Sequence, residues 1–185
     1  GAWQPGPKFW SFLNAPAEEA GDRSRPYPFC LASPLEADAE SLGALDDWIV
    51  EWKWDGIRAQ IMRRAEGTFI WSRGEELITD RFPEIVKAAA SLPLDTVVDG
   101  EILAWRDGAV RPFGELQQRI GRKKISAKVV ADTPVQFLAY DVLEHQGADV
   151  RSLPLRDRRA RLEEILRNCG SRFAVSPVVA ASSWE

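Results

Sequence analysis

Histidine occurs once in the 185 residues, as His145, and cysteine twice, as Cys30 and Cys169. A zinc centre needs a full set of closely spaced nitrogen or sulfur ligands, and this inventory argues against one. Two isolated cysteines build no disulfide framework either, so both are read as reduced thiols of a cytosolic protein. Long apolar runs are missing as well. No stretch is long enough to span a bilayer and no signal-peptide pattern is present, so no membrane partner is expected. Excess positive charge is also absent. The net charge is −4, and any contact with nucleic acid has to come from a local patch. No internal repeat is visible. What is there is an ordinary globular composition, 45% hydrophobic and 28% charged, sufficient for one core and a small appendage.

Residues 1–34 are rich in proline and glycine, with scattered aromatics at Trp3, Phe9, Trp10 and Phe12. Prolines such as Pro26 and Pro28 argue against a regular helix or a central strand. Residues 1–28 are read as a linker or the tail of a preceding domain, becoming ordered near residues 27–31; packing of the aromatics on the main body is the alternative. The hexapeptide Lys53-Trp54-Asp55-Gly56-Ile57-Arg58 then sits between two strand-like runs. Residues 48–52 form the first. Ile57, Ala59 and Ile61 alternate with polar residues in the second. Asp55-Gly56 between them is a hairpin signal, with Gly56 expected at positive φ. On this reading Lys53 leaves the end of a buried strand, framed by Trp52 and Trp54 and flanked by Glu51 and Asp55. A lysine that loses part of its hydration is a better nucleophile near neutral pH. The bland alternative is a β-hairpin with a decorated turn.

Residues 67–74 read as a further strand ending in a glycine turn. Pro83 opens a helix to about residue 91, with Ile85, Val86 and Ala89 on its apolar face. Residues 96–105 are β-rich, and Asp107-Gly108 suggests a tight turn into a short return strand. Phe113, Leu116 and Ile120 have helical spacing. Residues 135–143 read as a fully buried strand. Residues 155–167 read as a helix with Leu155, Leu162, Ile165 and Leu166 inward, stopped by Asn168-Cys169-Gly170. Another strand starts at Phe173. Strands interleaved with helices indicate an α+β domain built on antiparallel sheet.

Several clusters carry chemistry. Asp99 and Glu101 flank Gly100 inside an apolar strand, where acids are costly unless paired, hydrogen-bonded or metal-bound; a bulge or turn with solvated acids is the competing reading. Tyr140 is most simply a core aromatic whose hydroxyl needs a partner. Arg73 taken alone is an exposed arginine in a turn. Arg119, Arg122, Lys123, Lys124 and Lys128 are unbalanced by acids and form the better candidate for a nucleic-acid backbone. Arg156, Arg158, Arg159 and Arg161 alternate with acids and read as a solvated helix face with intrahelical pairs. His145 is incidental.

The hexapeptide resembles the Lys-x-Asp-Gly-x-Arg nucleotide-attachment motif of covalent nucleotidyltransferases, a chance match on the order of one in a thousand for a chain of this length. Residues 51–60 resemble its DNA ligase version, residues 71–77 and 81–85 the bacterial and archaeal branch. Asp99-Gly100-Glu101 and the run around Tyr140-Asp141 are similar to two further ligase motifs. The resemblance implies an α+β, ATP-grasp-like nucleotidyltransferase adenylation domain, in which twisted antiparallel sheets flanked by helices hold the nucleotide. It covers residues 29–185 and stops before a Glu-Gly metal-binding segment and a Lys-x-Lys strand. A partial adenylation domain is therefore expected, with an N-terminal DNA-binding domain and a C-terminal OB-fold elsewhere in a longer protein. The implied activity is that of an ATP-dependent DNA ligase, a monomer sealing nicked duplex DNA in repair or replication in the cytoplasm. Lys53 takes AMP from ATP, with Mg²⁺ or Mn²⁺ near Glu101. Glu51 contacts the adenine amino group, Tyr140 stacks on the base and Glu101 meets the ribose. Arg58 and Arg73 serve phosphate at the nucleotide or the nick. Asp55, Arg122, Lys123 and Lys124 complete the DNA side. An RNA ligase, a GTP-using capping-type enzyme and a non-catalytic nucleotide or nucleic-acid module are the alternatives.

Overall fold

The computed structural model describes residues 23–184; most of the expected linker, with Trp3, Phe9, Trp10 and Phe12, lies outside them. The strands are β1 (Ile57–Arg64), β2 (Gly67–Ser72), β3 (Thr96–Arg106), β4 (Ala109–Val110), β5 (Val135–His145), β6 (Ala148–Asp149) and β7 (Phe173–Val175). The helices are α1 (Pro83–Ala89), α2 (Phe113–Ile120), α3 (Ala127–Asp132) and α4 (Leu155–Leu166). One sheet runs β2-β1-β3-β5-β6, with β4 on β3 and β7 on β5. Every pairing is antiparallel except β5–β7. This is the α+β fold on antiparallel sheet that the pattern predicts. Among the described residues no helix is long and apolar enough to cross a membrane.

The period-two alternation sorts the sheet into two faces. Ile57, Ala59 and Ile61 stand opposite Ile102, Gly100 and Val98. With Phe137 and Val142 they form a core closed by Phe82, Ile85 and Ala89 from α1 and the residue before it, Leu116 from α2 and Leu162 from α4. Each large side chain buried there contributes roughly 1.5–3 kcal/mol. On the other face Arg58 stands opposite Glu101, and Gln60 opposite Asp99. The core helices thus leave a polar sheet face for chemistry.

One end of that face is covered by the chain before β1. Tyr27 exchanges hydrogen bonds between its backbone and the Gln60 amide, and its hydroxyl donates to Glu144 at 2.8 Å. Glu144 also accepts a two-pronged pair from buried Arg64. Burial, then the Glu144 hydrogen bond, push the Tyr27 hydroxyl up to about 12.

The predicted hairpin at Asp55-Gly56 does not form. Residues 48–50 are not strand, and Glu51 makes only an isolated bridge to Val178. β1 instead turns at Ala65-Glu66 and pairs with β2. Gly56 is not among the positive-φ glycines. Its lack of a side chain answers a different need: an added Cβ would lie 2.4 Å from the Ile102 carbonyl oxygen and 2.6 Å from Leu103. Asp107-Gly108 does make the tight turn, both residues at positive φ. Leu155 is corrected too. It opens α4 with 43% of its surface exposed, and the inward stripe starts one turn later at Arg159.

Candidate active site

The close approach of Gly56 lays the loop 53–56 along β3. Trp54 Nε1 donates to the Ser176 hydroxyl at 3.1 Å and holds the loop from the other side. An open cleft of about 430 Å³ results, lined among others by Lys53, Asp55, Arg58, Arg73 and Glu101. Lys53 itself is exposed, as is Trp52. The expected buried strand end framed by two tryptophans is therefore absent; an exposed amine faces an open cleft instead.

Arg58 reaches diagonally across the sheet to Asp99, donating Nε and Nη2 to its two carboxylate oxygens at 2.8 Å each. Its guanidinium also lies 4.7 Å from the Tyr140 ring centroid. Asp99 is buried, which raises its acid form, while the Arg58 bonds oppose the rise. Asp99 is thus satisfied, and the two-acid reading resolves into one structural and one open carboxylate. Among the described residues no salt bridge holds Glu101. Burial pushes it up to about 7, opposed by Arg58 and by the Gly56 N–H, and seconded by Asp99.

Between the ordinary glutamate value of about 4.3 and a folded value of about 7, the folded chain keeps a proton that the unfolded chain has released. Stability therefore falls as pH rises through this window. Glu101→Gln should raise the thermal midpoint at about pH 8 and leave it nearly unchanged at about pH 5. Melting curves at the two pH values check this, and a midpoint lowered at the higher pH contradicts it.

Tyr140 owes its orientation to a bulge. Asp99 pairs with Asp141 and Gly100 with Ala139, so Tyr140 is the extra residue on β5. Burial, with Glu101 next in weight, raises its hydroxyl well above the usual range. Glu51 and Tyr140 do not line the cleft; Arg58 connects Tyr140 to it. The Glu51 carboxylate accepts from Arg159 Nη1 at 2.8 Å.

Of the four arginines of α4, Arg156 stays exposed as expected, but Arg158 and Arg159 do not belong to a solvated face. Arg158 clamps Asp141 with two bonds of 2.8 Å, and Arg159 is buried. Arg119 leaves the basic cluster as well. It is 1% exposed and bound to Glu84, Thr133 O and Arg81 O. A signal for both was present: Arg119 shares the inward stripe of α2 with Leu116, and Arg159 that of α4 with Leu162 and Leu166. A cation on an apolar stripe has a buried partner or breaks the fold. Arg122, Lys123 and Lys124 stay exposed in the loop between α2 and α3, apart from the cleft. Lys128 pairs with Asp132.

Among the described residues no group of three potential metal-ligating side chains converges. Of the carboxylates lining the cleft, Asp55 and Glu101, the buried Glu101 fits a metal better. It is a buried carboxylate without an ion pair, at a cleft that also holds the lysine. Magnesium typically takes one or two carboxylates and fills its shell with phosphate oxygens and water, which this arrangement allows.

The fold is that of a nucleotidyltransferase adenylation domain. Residues 30–185 match the family model described as ATP dependent DNA ligase domain, and the chain belongs to that family. A relative named "Probable DNA ligase" from Koribacter versatilis is 41% identical over 148 residues, 80% of this chain and 26% of the relative. A "DNA ligase" from Natronomonas pharaonis is 38% identical over 147 residues, 77% of this chain and 26% of that protein. The chain thus spans about a quarter of the length of these curated relatives. The solved structure titled "mycobacterial DNA ligase D complexed with ATP and MES" superposes with a TM-score of 0.56 at 27% identity, covering 71% of this chain and 40% of that one. The ligase domain of LigD from M. tuberculosis gives 0.55 at 25% identity, with the same coverage of both chains.

Proposed function

We propose that this chain carries the nucleotide-attachment step of an ATP-dependent DNA ligase. The observation that carries the reading is the Lys53 loop docked through Gly56 on β3, which gathers Lys53, Arg58, Arg73 and Glu101 around one cleft. The Lys53 amine attacks the α-phosphorus of ATP, a phosphorus–nitrogen bond forms and pyrophosphate leaves, giving lysyl-AMP. AMP then passes to the 5′-phosphate at a nick in duplex DNA, and the 3′-hydroxyl displaces it to seal the strand. Each step is an in-line substitution at phosphorus, so orientation and charge neutralisation dominate. Arg58 and Arg73 supply positive charge at the cleft. Glu51 and Tyr140 hold the adenine; because Arg58 covers one face of the Tyr140 ring, a stacked base takes the other face or displaces the guanidinium. Glu101 meets the ribose and contributes a ligand to Mg²⁺ or Mn²⁺, and a bound cation neutralises phosphate charge. Asp55 stands at the DNA side of the cleft. The structure titled as an ATP complex, similar over 71% of this chain, supports ATP as the nucleotide.

Intact-protein mass after incubation with ATP and Mg²⁺ tests the proposal. One added AMP with ATP, and none with GTP, is expected. No adduct from this chain, and none from one extended past residue 185, overturns it. The exposed loop Arg122–Lys123–Lys124 is the proposed contact to the DNA backbone. Lys123→Glu with Lys124→Glu should weaken binding to nicked and intact duplexes alike, and lower the salt slope by about 0.9 for each phosphate no longer neutralised. Binding isotherms across a salt series check this; an unchanged slope removes the loop from the interface.

A further inference from the structure

Arg159 projects from α4 with 7% of its surface exposed. Its Nη1 donates to Glu51 Oε1 at 2.8 Å and to the Tyr140 carbonyl at 3.4 Å, and its Nη2 donates to the Ser176 carbonyl. Each partner anchors a separate piece of the site. Glu51 belongs to the irregular segment before β1, fixed in place by its bridge to Val178. Tyr140 is the bulged residue of β5, and a bulge takes a backbone group out of the regular ladder. Ser176 is fully buried, and its hydroxyl receives the indole N–H of Trp54, next to Lys53. One guanidinium therefore ties together the Glu51 carboxylate, the bulge at Tyr140 and the mount of the lysine loop.

We propose that Arg159 is a positioning residue for the base end of the nucleotide site, holding Glu51 and Tyr140 in register with each other and so setting base affinity and base choice. This rests on the ligase reading above. The chemistry follows from the bonds. Arg159 engages Oε1 of Glu51 and leaves Oε2 to a donor. A carboxylate only accepts hydrogen bonds. Adenine offers an amino group at C6, where guanine has a carbonyl that would be repelled. Freed from Arg159, Glu51 turns to solvent and the distinction fades. Burying a guanidinium stabilises a fold little unless its donors are satisfied, and among the described residues Arg159 Nε has no hydrogen-bond partner, with the Glu163 carboxylate 3.7 Å away.

The test measures equilibrium binding of ATP and of GTP to the 185-residue chain, together with the adduct rate at saturating ATP. Variants are Arg159→Met, Arg159→Lys and Glu51→Gln. Arg159→Met should weaken ATP binding by about tenfold and narrow the ATP-over-GTP ratio. The loss should fall more heavily on the binding constant than on the adduct rate at saturating ATP, which drops only as far as the Ser176 mount of the lysine loop loosens. Arg159→Lys, which keeps the charge and loses the fork, should recover part of the affinity. Glu51→Gln added to Arg159→Met should cost little more, because the two act along one path. Folded variants with parental ATP affinity and parental ratio overturn the proposal alone. A parent chain that binds neither nucleotide overturns the ligase reading with it. Should Arg159→Met fail to fold, Arg159→Lys carries the test, with an ATP affinity and an ATP-over-GTP ratio expected between those of the parent and of Glu51→Gln.

Discussion

Lys53→Arg should abolish the covalent AMP adduct, a loss of at least about a thousandfold in the attachment rate, while the thermal midpoint stays where it was. Chemically, attack on phosphorus needs a nitrogen lone pair. An amine supplies one on losing its proton, whereas a guanidinium does not lose its proton in proteins and its nitrogen lone pairs are delocalised. Arginine keeps the positive charge, so the electrostatic attraction of the cleft for a triphosphate survives and the defect falls on the chemical step. Structurally, Lys53 is exposed in a loop whose fixed points are its neighbours: Gly56 against β3 and Trp54 on Ser176. The side chain is too exposed to add a contact that a melt would register. Mass spectrometry for the adduct, with a melting curve on the same sample, reads both the chemistry and the fold. An AMP adduct persisting on the arginine variant would mean that another group is the nucleophile.

The exposure of Lys53 bears on how far its role is legible in the sequence. The hexapeptide spells out the lysine and the glycine, but the local logic it suggests for them is wrong. Asp-Gly between apolar runs suits a hairpin, and nothing close by in the chain contradicts one. What decides the matter is β3, whose Ile102 carbonyl leaves no room for a Cβ at position 56. The same limit explains the arginines. Arg159 and Glu51 are 108 positions apart, and Arg119 and Glu84 are 35 apart, so counting charges along one stretch of chain misses the main partner of each. Contiguous features fare better. Apolar runs with their turn residues locate β3, β5, α1 and α2 to within a few residues, because a largely buried apolar strand and a proline-started helix declare themselves locally. The cleft itself is legible as residue identities and not as a shape. Lys53, Arg58, Arg73 and Glu101 come from three strands and their loops, and only the order β2-β1-β3 brings them together.

The bulge at Tyr140 leads to the second large effect, on stability. Gly100→Ala should destabilise the chain by about 3 kcal/mol or more, lowering the thermal midpoint by roughly 10 °C for a chain of this size. The competing reading of the sequence has Gly100 relax β3 into a turn or bulge between Asp99 and Glu101. In the fold β3 runs straight through, and the irregularity sits across the ladder on β5. Gly100 faces the core. A Cβ there would lie 2.3 Å from the Leu138 carbonyl oxygen, 2.7 Å from the Phe137 ring and 2.8 Å from the Ala139 Cα. Two of those neighbours are backbone and cannot rotate away, so relief has to come from pushing β3 and β5 apart. Such a shift acts where the register changes between Asp99 and Gly100, the step that turns Tyr140 toward Arg58. The substitution therefore should cost more than stability: near-neutral ATP binding in a folded Gly100→Ala chain would show that the bulge tolerates strand separation. Val98→Ala, two register positions away on the same core face, serves as the comparison. It removes methyl groups without a collision, and its cost should come from the cavity alone, with nucleotide affinity unchanged. A Gly100→Ala chain that melts with the parent would instead mean that β3 and β5 separate at no cost, and that the glycine answers no steric demand.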